Sequence, residues 1–408
     1  MSPLRSLLFE VPPTAGLPPR WADLWPSGQA SLTERAAAFV GVEEIQVECS
    51  GTAALVVALT ALRRRSKRTC VVVPAYTCPL VPIAIAHCGL KIRLCDLAPD
   101  HFDMHPAALA AACDEDTLAI VPTHLAGRVA DVDTALACAR RVGALVIEDA
   151  AQALGARCGS ASVGLQGDIG FFSLAVGKGL TLYEGGLLVA RDPDLRAELH
   201  RCHDDLVAAS AGWEFKRSIQ LLGYHVLYRP GVMRWAYGWP RRRALRAGNL
   251  TAAVGDDFPL SIPLHRVGAW RQGIGARAFS RLANFQVELA TRALQRVARL
   301  ARISGVRVLQ DGESAQGTWP FLLLLMNDQT ARDRALDRLW NTSLGVSRLF
   351  IHALPDYPCL ASIVASAETP NARAFASRTL TISNSPGLDS GRFEQICRVL
   401  EEVTAGPN

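Results

Sequence analysis

Two neighbouring stretches decide the architecture: Ala144–Ala156, ALVIEDAAQALGA, and Asp168–Arg191, DIGFFSLAVGKGLTLYEGGLLVAR. In the first, an apolar run closes on Glu148 and Asp149 and enters a turn of small residues. In the second, two apolar runs flank a glycine-bounded loop that carries Lys178. Short apolar runs bounded by turn signals read as buried strands. The same alternation runs upstream. IQVECSGTAALVVALTALRR (45–64) reads as a strand, a Ser-Gly-Thr turn and an apolar helix. CVVVPAYTCPLVPIAIAHCGLKIRLCDL supplies a strand at 70–74, a helix at about 80–88 and a strand at 91–96. TLAIVPTHLAG (117–127) is a further strand ending in a polar turn, and ADVDTALACARRVG (130–143) is an amphipathic helix. Strands alternating with helices build βαβ units, and near-continuous apolar strands imply a mostly parallel sheet covered on both faces. The expected class is therefore α/β. Ligands of such sheets bind beyond the carboxyl ends of the strands. Ser50-Gly51-Thr52, Pro74-Ala75-Tyr76, His124, Asp149 and Gln152 all follow strands, so they are expected to line one crevice.

Residues 1–30 are rich in proline and read as an arm. Ser31 with Glu34 three residues on is a capping-box signal for the first helix. Residues 31–275 read as the large domain, interrupted at about 195–260 by helices rich in aromatic and basic residues. A long helix, roughly 276–301, leads into a small α+β domain that ends at 408. Its strands are expected at 317–326 and 379–383, and its helices at 331–340 and 391–403. At 408 residues the chain is long enough for two cores. Half of it is hydrophobic and a fifth is charged, a globular balance. A net charge of +5 is small for this length and does not point to nucleic acid. The eleven cysteines occur singly, without a CxxC pair, which argues against a zinc site or a disulfide framework and for a reducing cytoplasm. No apolar run reaches 18 residues, so no spanning helix is expected.

A lysine between two strands and an aspartate at the end of a third suit pyridoxal phosphate (PLP). That cofactor needs an amine to condense with its aldehyde. It also needs a carboxylate to keep its ring nitrogen protonated, so that the ring can take up electrons. Lys178 stands 29 residues after Asp149 and is one of only four lysines among 43 basic residues. The plain alternative is a solvated loop lysine; the apolar, glycine-flanked loop favours burial, which lowers the amine's pKa. Asp149 would otherwise cap the next helix. Glu148, its neighbour on the strand, should point to the other face. Gly51, Thr52 and Ala53 open a helix whose free N–H groups and dipole suit a phosphate. Ser173 can give its hydroxyl to the same phosphate, or is an ordinary strand serine. Gln152, one turn after Asp149, can reach the ring hydroxyl or pack along the ring. His124 is either a satisfied strand-end histidine or a substrate-side group. Glu184 is a second substrate-side candidate, in a turn whose Gly185 and Gly186 backbone geometry explains.

Together these segments resemble the DegT/StrS family of PLP-dependent aminotransferases, many of which act on nucleotide-linked keto-sugars. The matching stretches are ECSGTAAL, VVVPAYTCP, VPTHLAGRVADVD, VIEDAAQALGA, GDIGFFSLAVGKGL and YEGGLLVA, with a looser match at RTLTISNSPGLDS. The resemblance implies the aspartate-aminotransferase-like fold, a three-layer PLP-transferase large domain with a small α+β domain. It also implies an obligate homodimer with active sites at the interface. It carries over Lys178 as the Schiff-base lysine, Asp149 as the partner of the ring nitrogen and Gln152 beside the ring, with Thr52, Ala53 and Ser173 as phosphate contacts. Relatives that dehydrate sugars carry a histidine in place of the lysine, so Lys178 implies transamination. Three departures stand out. The family's ring-stacking aromatic is replaced by Cys78, with Tyr76 two residues earlier as a candidate substitute. Its Asn-Tyr-Arg segment becomes Leu264-His265-Arg266. The proline two residues before the lysine becomes Val176.

The insertion is the largest departure. Residues 213–246 hold seven arginines, one lysine and one glutamate, a local net of +7. Three readings apply: a flap resting on an anionic membrane, a lid gripping a diphosphate, or a helical hairpin packed on the core or on a dimer partner. The expected activity is transfer of an amino group from glutamate or glutamine to a keto substrate, in particular a nucleotide-linked keto-sugar. The alternatives are a PLP enzyme of another outcome, elimination or C–C bond formation, and a non-catalytic relative used for sensing or scaffolding.

Overall fold

The computed structural model describes residues 9–25, 30–256 and 258–405. Residues 1–8 and 26–29 of the expected arm lie outside them. The large domain is a seven-stranded sheet. Its strands are β1 (Gln46–Glu48), β2 (Cys70–Pro74), β3 (Lys91–Cys95), β4 (Thr117–Ile120), β5 (Leu145–Asp149), β6 (Ile169–Ser173) and β7 (Gly186–Ala190). Their spatial order is β1-β7-β6-β5-β4-β2-β3. From β6 to β3 every pairing is parallel. Only β7 runs against its neighbours, antiparallel to both β6 and β1.

The inner strands are apolar because both faces are covered. β2, β4, β6 and β7 are buried along their whole length. The covering helices are α1 (Leu32–Val40), α2 (Gly51–Arg65), α3 (Leu80–His87), α4 (Pro106–Ala112), α5 (Val132–Val142) and α6 (Pro193–Leu206). Their ends follow local chemistry. Ser31 and Glu34 close the expected capping box on α1. Asp131 caps α5, and Gly143 ends it in the left-handed conformation at φ 70°. The lone antiparallel strand matters for the site. An antiparallel neighbour needs no crossover helix, so the connection from Ser173 to Gly186 stays at the carboxyl edge of β6, and Lys178 stays with it.

The expected linker helix is in fact two helices, α10 (Ala269–Phe279) and α11 (Leu282–Leu300). Helices α7 (Ala211–Leu227), α8 (Trp239–Arg246) and α9 (Leu250–Val254) make up the insertion, with a helical turn at Pro230–Met233 and a π-turn at Arg234–Gly238. The boundary also differs from the expected 275/276. Leu282, Phe285 and Leu289 of α11 pack in the large-domain core, while Ala293, Val297 and Leu300 pack in the small-domain core. One helix therefore serves both. The small domain is an antiparallel sheet, β8 (Val306–Val308), β9 (Phe321–Met326), β11 (Thr379–Ser383) and β10 (Val346–Ser347) in spatial order. Helices α12 (Gln329–Leu339), α13 (Pro370–Arg378) and α14 (Ser390–Thr404) complete it. No helix among the described residues is long and apolar enough to cross a membrane.

Candidate active site

Parallel strands deliver their carboxyl ends to one edge, and the expected residues meet there. Asp149 ends β5, and the isolated bridge between Thr123 and Asp149 brings the loop after β4 alongside. Asp149 is 4% exposed. Its Oδ1 accepts the Ala151 N–H at 3.0 Å, and among the described residues no side chain hydrogen-bonds to it. Lys178 is half-buried, and its amine has no hydrogen bond or ion pair among the described residues. Burial drives each group toward its neutral form. It lowers the pKa of Lys178 against the opposing fields of Cys78 and Asp149. It raises that of Asp149 against the Ala151 N–H, Lys178 and His124. An amine without a hydrogen bond and a carboxylate without a side-chain partner, both among the described residues, thus share one field.

The N-terminus of α2 faces the same edge. Ser50 caps the helix by accepting the Ala53 N–H at 2.9 Å, so Ala53 has given up the donor expected of it, while Gly51 and Thr52 keep theirs. A side chain on Gly51 would sit 3.1 Å from the Ser173 Cβ, so glycine is what lets the helix end approach β6. Gly186 serves the same contact. Its absent side chain would lie 2.3 Å from the Ser50 carbonyl oxygen. The left-handed residue of that turn is Tyr183, at φ 68°, so Gly186 answers a close approach rather than the tight turn expected. Donors on α2, the Ser173 hydroxyl, the Lys178 amine and the Asp149 carboxylate form a set whose chemistry fits PLP: donors for a phosphate, an acid for a ring nitrogen and an amine for an aldehyde. Gln152 lies alongside, with its amide oxygen taken by the Ala126 N–H at 2.8 Å and its –NH2 as the remaining donor.

Cys78 is held in the thiol form, its pKa pushed up to about 12 mainly by burial, with the fields of Asp149 and Asp256 adding to it. Tyr76 does not stand in for the family's aromatic. It is 1% exposed; its hydroxyl donates to the Phe350 carbonyl at 3.1 Å and accepts the Phe350 N–H at 3.2 Å. Its ring packs edge-on against Phe350 and Phe375. It is a bolt between the two domains, not a substrate or ring contact. Tyr76→Phe is expected to cost about 1–3 kcal/mol of stability, from the two stranded Phe350 groups, with kcat/KM unchanged. Thermal melts beside steady-state kinetics check this.

His124 takes the strand-end role. Its Nδ1 accepts the Ala130 N–H at 3.0 Å, so the proton sits on Nε2 and is donated to Glu148 at 2.9 Å. Glu148 faces away from Asp149 and also accepts the N–H groups of Gly164 and Gly167. Burial alone would raise the Glu148 pKa, but these donors outweigh it and hold the group below its usual value. Glu184 is likewise engaged. Its carboxylate pairs with Arg217 of α7, and its carbonyl accepts from Arg271 at 2.7 Å. It anchors the insertion rather than a substrate.

Two features had no sequence signal. The arm crosses the lysine loop, with the Leu17 N–H donating to the Gly179 carbonyl at 2.8 Å. Asp256, 3% exposed, accepts the Tyr357 hydroxyl at 2.6 Å and the Ile351 N–H at 3.0 Å, and its field reaches Cys78.

This sheet, with its single reversed strand and its lysine and aspartate on one edge, defines an α/β fold of the aspartate-aminotransferase type. The chain belongs to the DegT/DnrJ/EryC1/StrS aminotransferase family, whose profile matches residues 21–225. It is 38% identical over 172 residues to Protein MosB of Rhizobium meliloti, across 42% of this chain and 34% of that protein. It is 37% identical over 161 residues to GDP-perosamine synthase of Caulobacter vibrioides, across 40% and 43%. The matches thus span less than half the length of these two relatives. A putative sugar aminotransferase from Streptococcus pneumoniae, in its PMP form, superposes with a TM-score of 0.75 at 17% identity, over 97% of this chain and 98% of that one. A sugar aminotransferase from Micromonospora echinospora gives 0.71 at 21% identity, over 96% and 100%. At these identities the likeness establishes the fold.

Proposed function

We propose that this chain is a cytoplasmic, PLP-dependent aminotransferase that works as a homodimer with active sites at the interface. It moves an amino group from glutamate or glutamine to a keto-sugar carried on a nucleotide. The observation that carries the reading is the Lys178 amine, without a hydrogen bond, and the Asp149 carboxylate, without a side-chain partner, set in one field among the described residues on the edge where α2 begins.

When bound, PLP supplies an aldehyde that bonds to amines and a ring that takes up electrons from the carbon beside them. Lys178 would be the residue that holds the cofactor's aldehyde end, and its neutral amine would serve as the base and acid that moves the donor's α-proton. Burial suits it to this, because a fully protonated amine cannot accept a proton. Asp149 holds a proton on the ring nitrogen through a charge-assisted hydrogen bond in a shielded site. The free N–H groups of Gly51 and Thr52 and the Ser173 hydroxyl hold the phosphate. Cys78, a neutral thiol, would border the ring without adding charge, and the –NH2 of Gln152 would be the donor free for the ring hydroxyl. The names of GDP-perosamine synthase and of a UDP-N-acetyl-3-dehydro-glucosamine 3-aminotransferase from Acidithiobacillus ferrooxidans support a nucleotide-linked keto-sugar as acceptor.

The test is a half-reaction. PLP-loaded protein is titrated with glutamate and with glutamine, and the matching 2-oxo acid is assayed. The amine-loaded enzyme is then offered nucleotide-linked keto-sugars. Stoichiometric 2-oxo acid and an aminated sugar are expected. Bound PLP with no 2-oxo acid from any donor would overturn the proposal in favour of another PLP outcome or a non-catalytic role.

A further inference from the structure

The insertion spends only part of its surface on the rest of the chain. The inner side of α7 sets Glu214 on Arg271 at 2.7 Å and Arg217 on Glu184, and it buries Leu221 with Leu24 and Ile274. Arg241 and Arg242 of α8 both bind Glu10, which is fully buried. Three of the eight cations in 213–246 are thereby neutralised inside the protein.

The outer side has no such partners. Phe215, Ile219, Leu222 and Val226 recur at steps of four, three and four, one stripe of a helix. They are 69%, 51%, 40% and 48% exposed. Exposed Leu227, Val232, Trp235 and Trp239 follow directly along the chain. A helix whose second face met only water would carry polar residues there, and a contiguous apolar stripe marks an interaction surface. Lys216, Arg229, Arg243 and Arg246 are exposed in the same segment and make no ion pair among the described residues. Three of them lie over indole rings, Lys216 on Trp213, Arg229 on Trp21 and Arg243 on Trp239, at 4.6, 5.4 and 5.7 Å.

The charge pattern selects the occupant. A second copy seated with its two-fold axis through this patch would set the patch against itself. Cations would then face cations, because the insertion's one acid within 213–246, Glu214, is already on Arg271. An anionic bilayer surface offers the complement to each part: acyl chains for the stripe, the headgroup layer for the indoles, and negative charge for the cations. We propose that the α7–α8 segment rests the protein on an anionic lipid surface, with α7 lying in the plane of the interface. This goes beyond the aminotransferase reading and does not depend on it.

The test is flotation of the full chain with vesicles of phosphatidylcholine alone and of phosphatidylcholine mixed with phosphatidylglycerol. Binding is expected only with the mixed vesicles and should be lost in high salt. Phe215→Ser with Ile219→Ser should abolish it. Arg229→Gln, Arg243→Gln and Arg246→Gln should each weaken it roughly fivefold. All of these variants should keep the parent's aminotransferase activity. Equal recovery in the soluble fraction with both vesicle types overturns the proposal. So does a Phe215→Ser/Ile219→Ser protein that still floats like the parent. Light scattering adds an independent check: if the same double variant loses a subunit that the parent holds, a second copy covers the stripe, and the lipid assignment fails.

Discussion

Lys178→Ala is expected to abolish turnover, lowering kcat by roughly four orders of magnitude or more, and to remove the visible absorbance of the cofactor-bound lysine. Pyridoxamine phosphate brings its own amine, so it should still bind, with its phosphate on α2 and its ring nitrogen at Asp149. Among the described residues of the site no other amine can replace it. The next nucleophile in the site, Cys78, is held as a thiol, with a pKa near 12. Lys178→Arg makes the argument sharper. It keeps length and charge, but a guanidinium does not give up its proton in a protein. It should be as inactive as the alanine variant, which separates the need for a neutral amine from a need for positive charge. Equilibrium dialysis with pyridoxamine phosphate, beside absorbance spectra and kinetics, checks both variants. An arginine variant with appreciable turnover would sink the assignment.

How much of this was legible follows from the distance over which each residue is decided. The strand at 70–74 is a continuous apolar run because both its faces are buried, and it falls where the sequence puts it, as does the alternating strand at 379–383. The helix start at Ser31 was legible because a cap and its N–H partner lie three residues apart, whereas the cap that Ser50 places on Ala53 was not read. The edge residues were legible as a set because parallel strands leave only one place for them. The roles of single side chains were not. Tyr76 is decided by Phe350, 274 residues away, and Glu184 by Arg217 on a helix that packs back over the turn. Nor was the break between α10 and α11. Ser280 and Arg281 keep right-handed helical backbone angles, with no glycine or proline to announce a stop. The outer stripe of α7 is masked by the apolar residues of its inner side, so the segment reads as aromatic and basic without showing which side meets what.

Asp149→Asn is expected to act in opposite directions on activity and on stability. Activity should fall by about 10²–10⁴-fold, the span over which a placed proton donor or acceptor contributes, because a neutral amide cannot hold a proton on the ring nitrogen. The cofactor-free protein should nonetheless melt at a higher temperature near neutral pH. Burial raises the Asp149 pKa above the usual 3.8, outweighing the Ala151 N–H, Lys178 and His124. A carboxyl whose folded pKa is raised binds its proton more tightly folded than unfolded. Its contribution to stability is fully present below the unfolded value and is lost as pH rises through the folded one. Near pH 7, well above the ordinary 3.8, the wild type therefore bears the cost of burying this carboxyl without a cationic side-chain partner. Asparagine bears no such cost, and it can still accept the Ala151 N–H. The advantage of the variant should shrink as pH falls toward 3.8 and reappear on return to neutrality. Adding PLP should reverse the order, since the ring nitrogen gives the wild-type carboxylate its partner. Calorimetric melts of both proteins at neutral and acidic pH, with and without cofactor, decide it. Identical melting of the two cofactor-free proteins at every pH would mean that this carboxylate is solvated, and the electrostatic basis of the site would go with it.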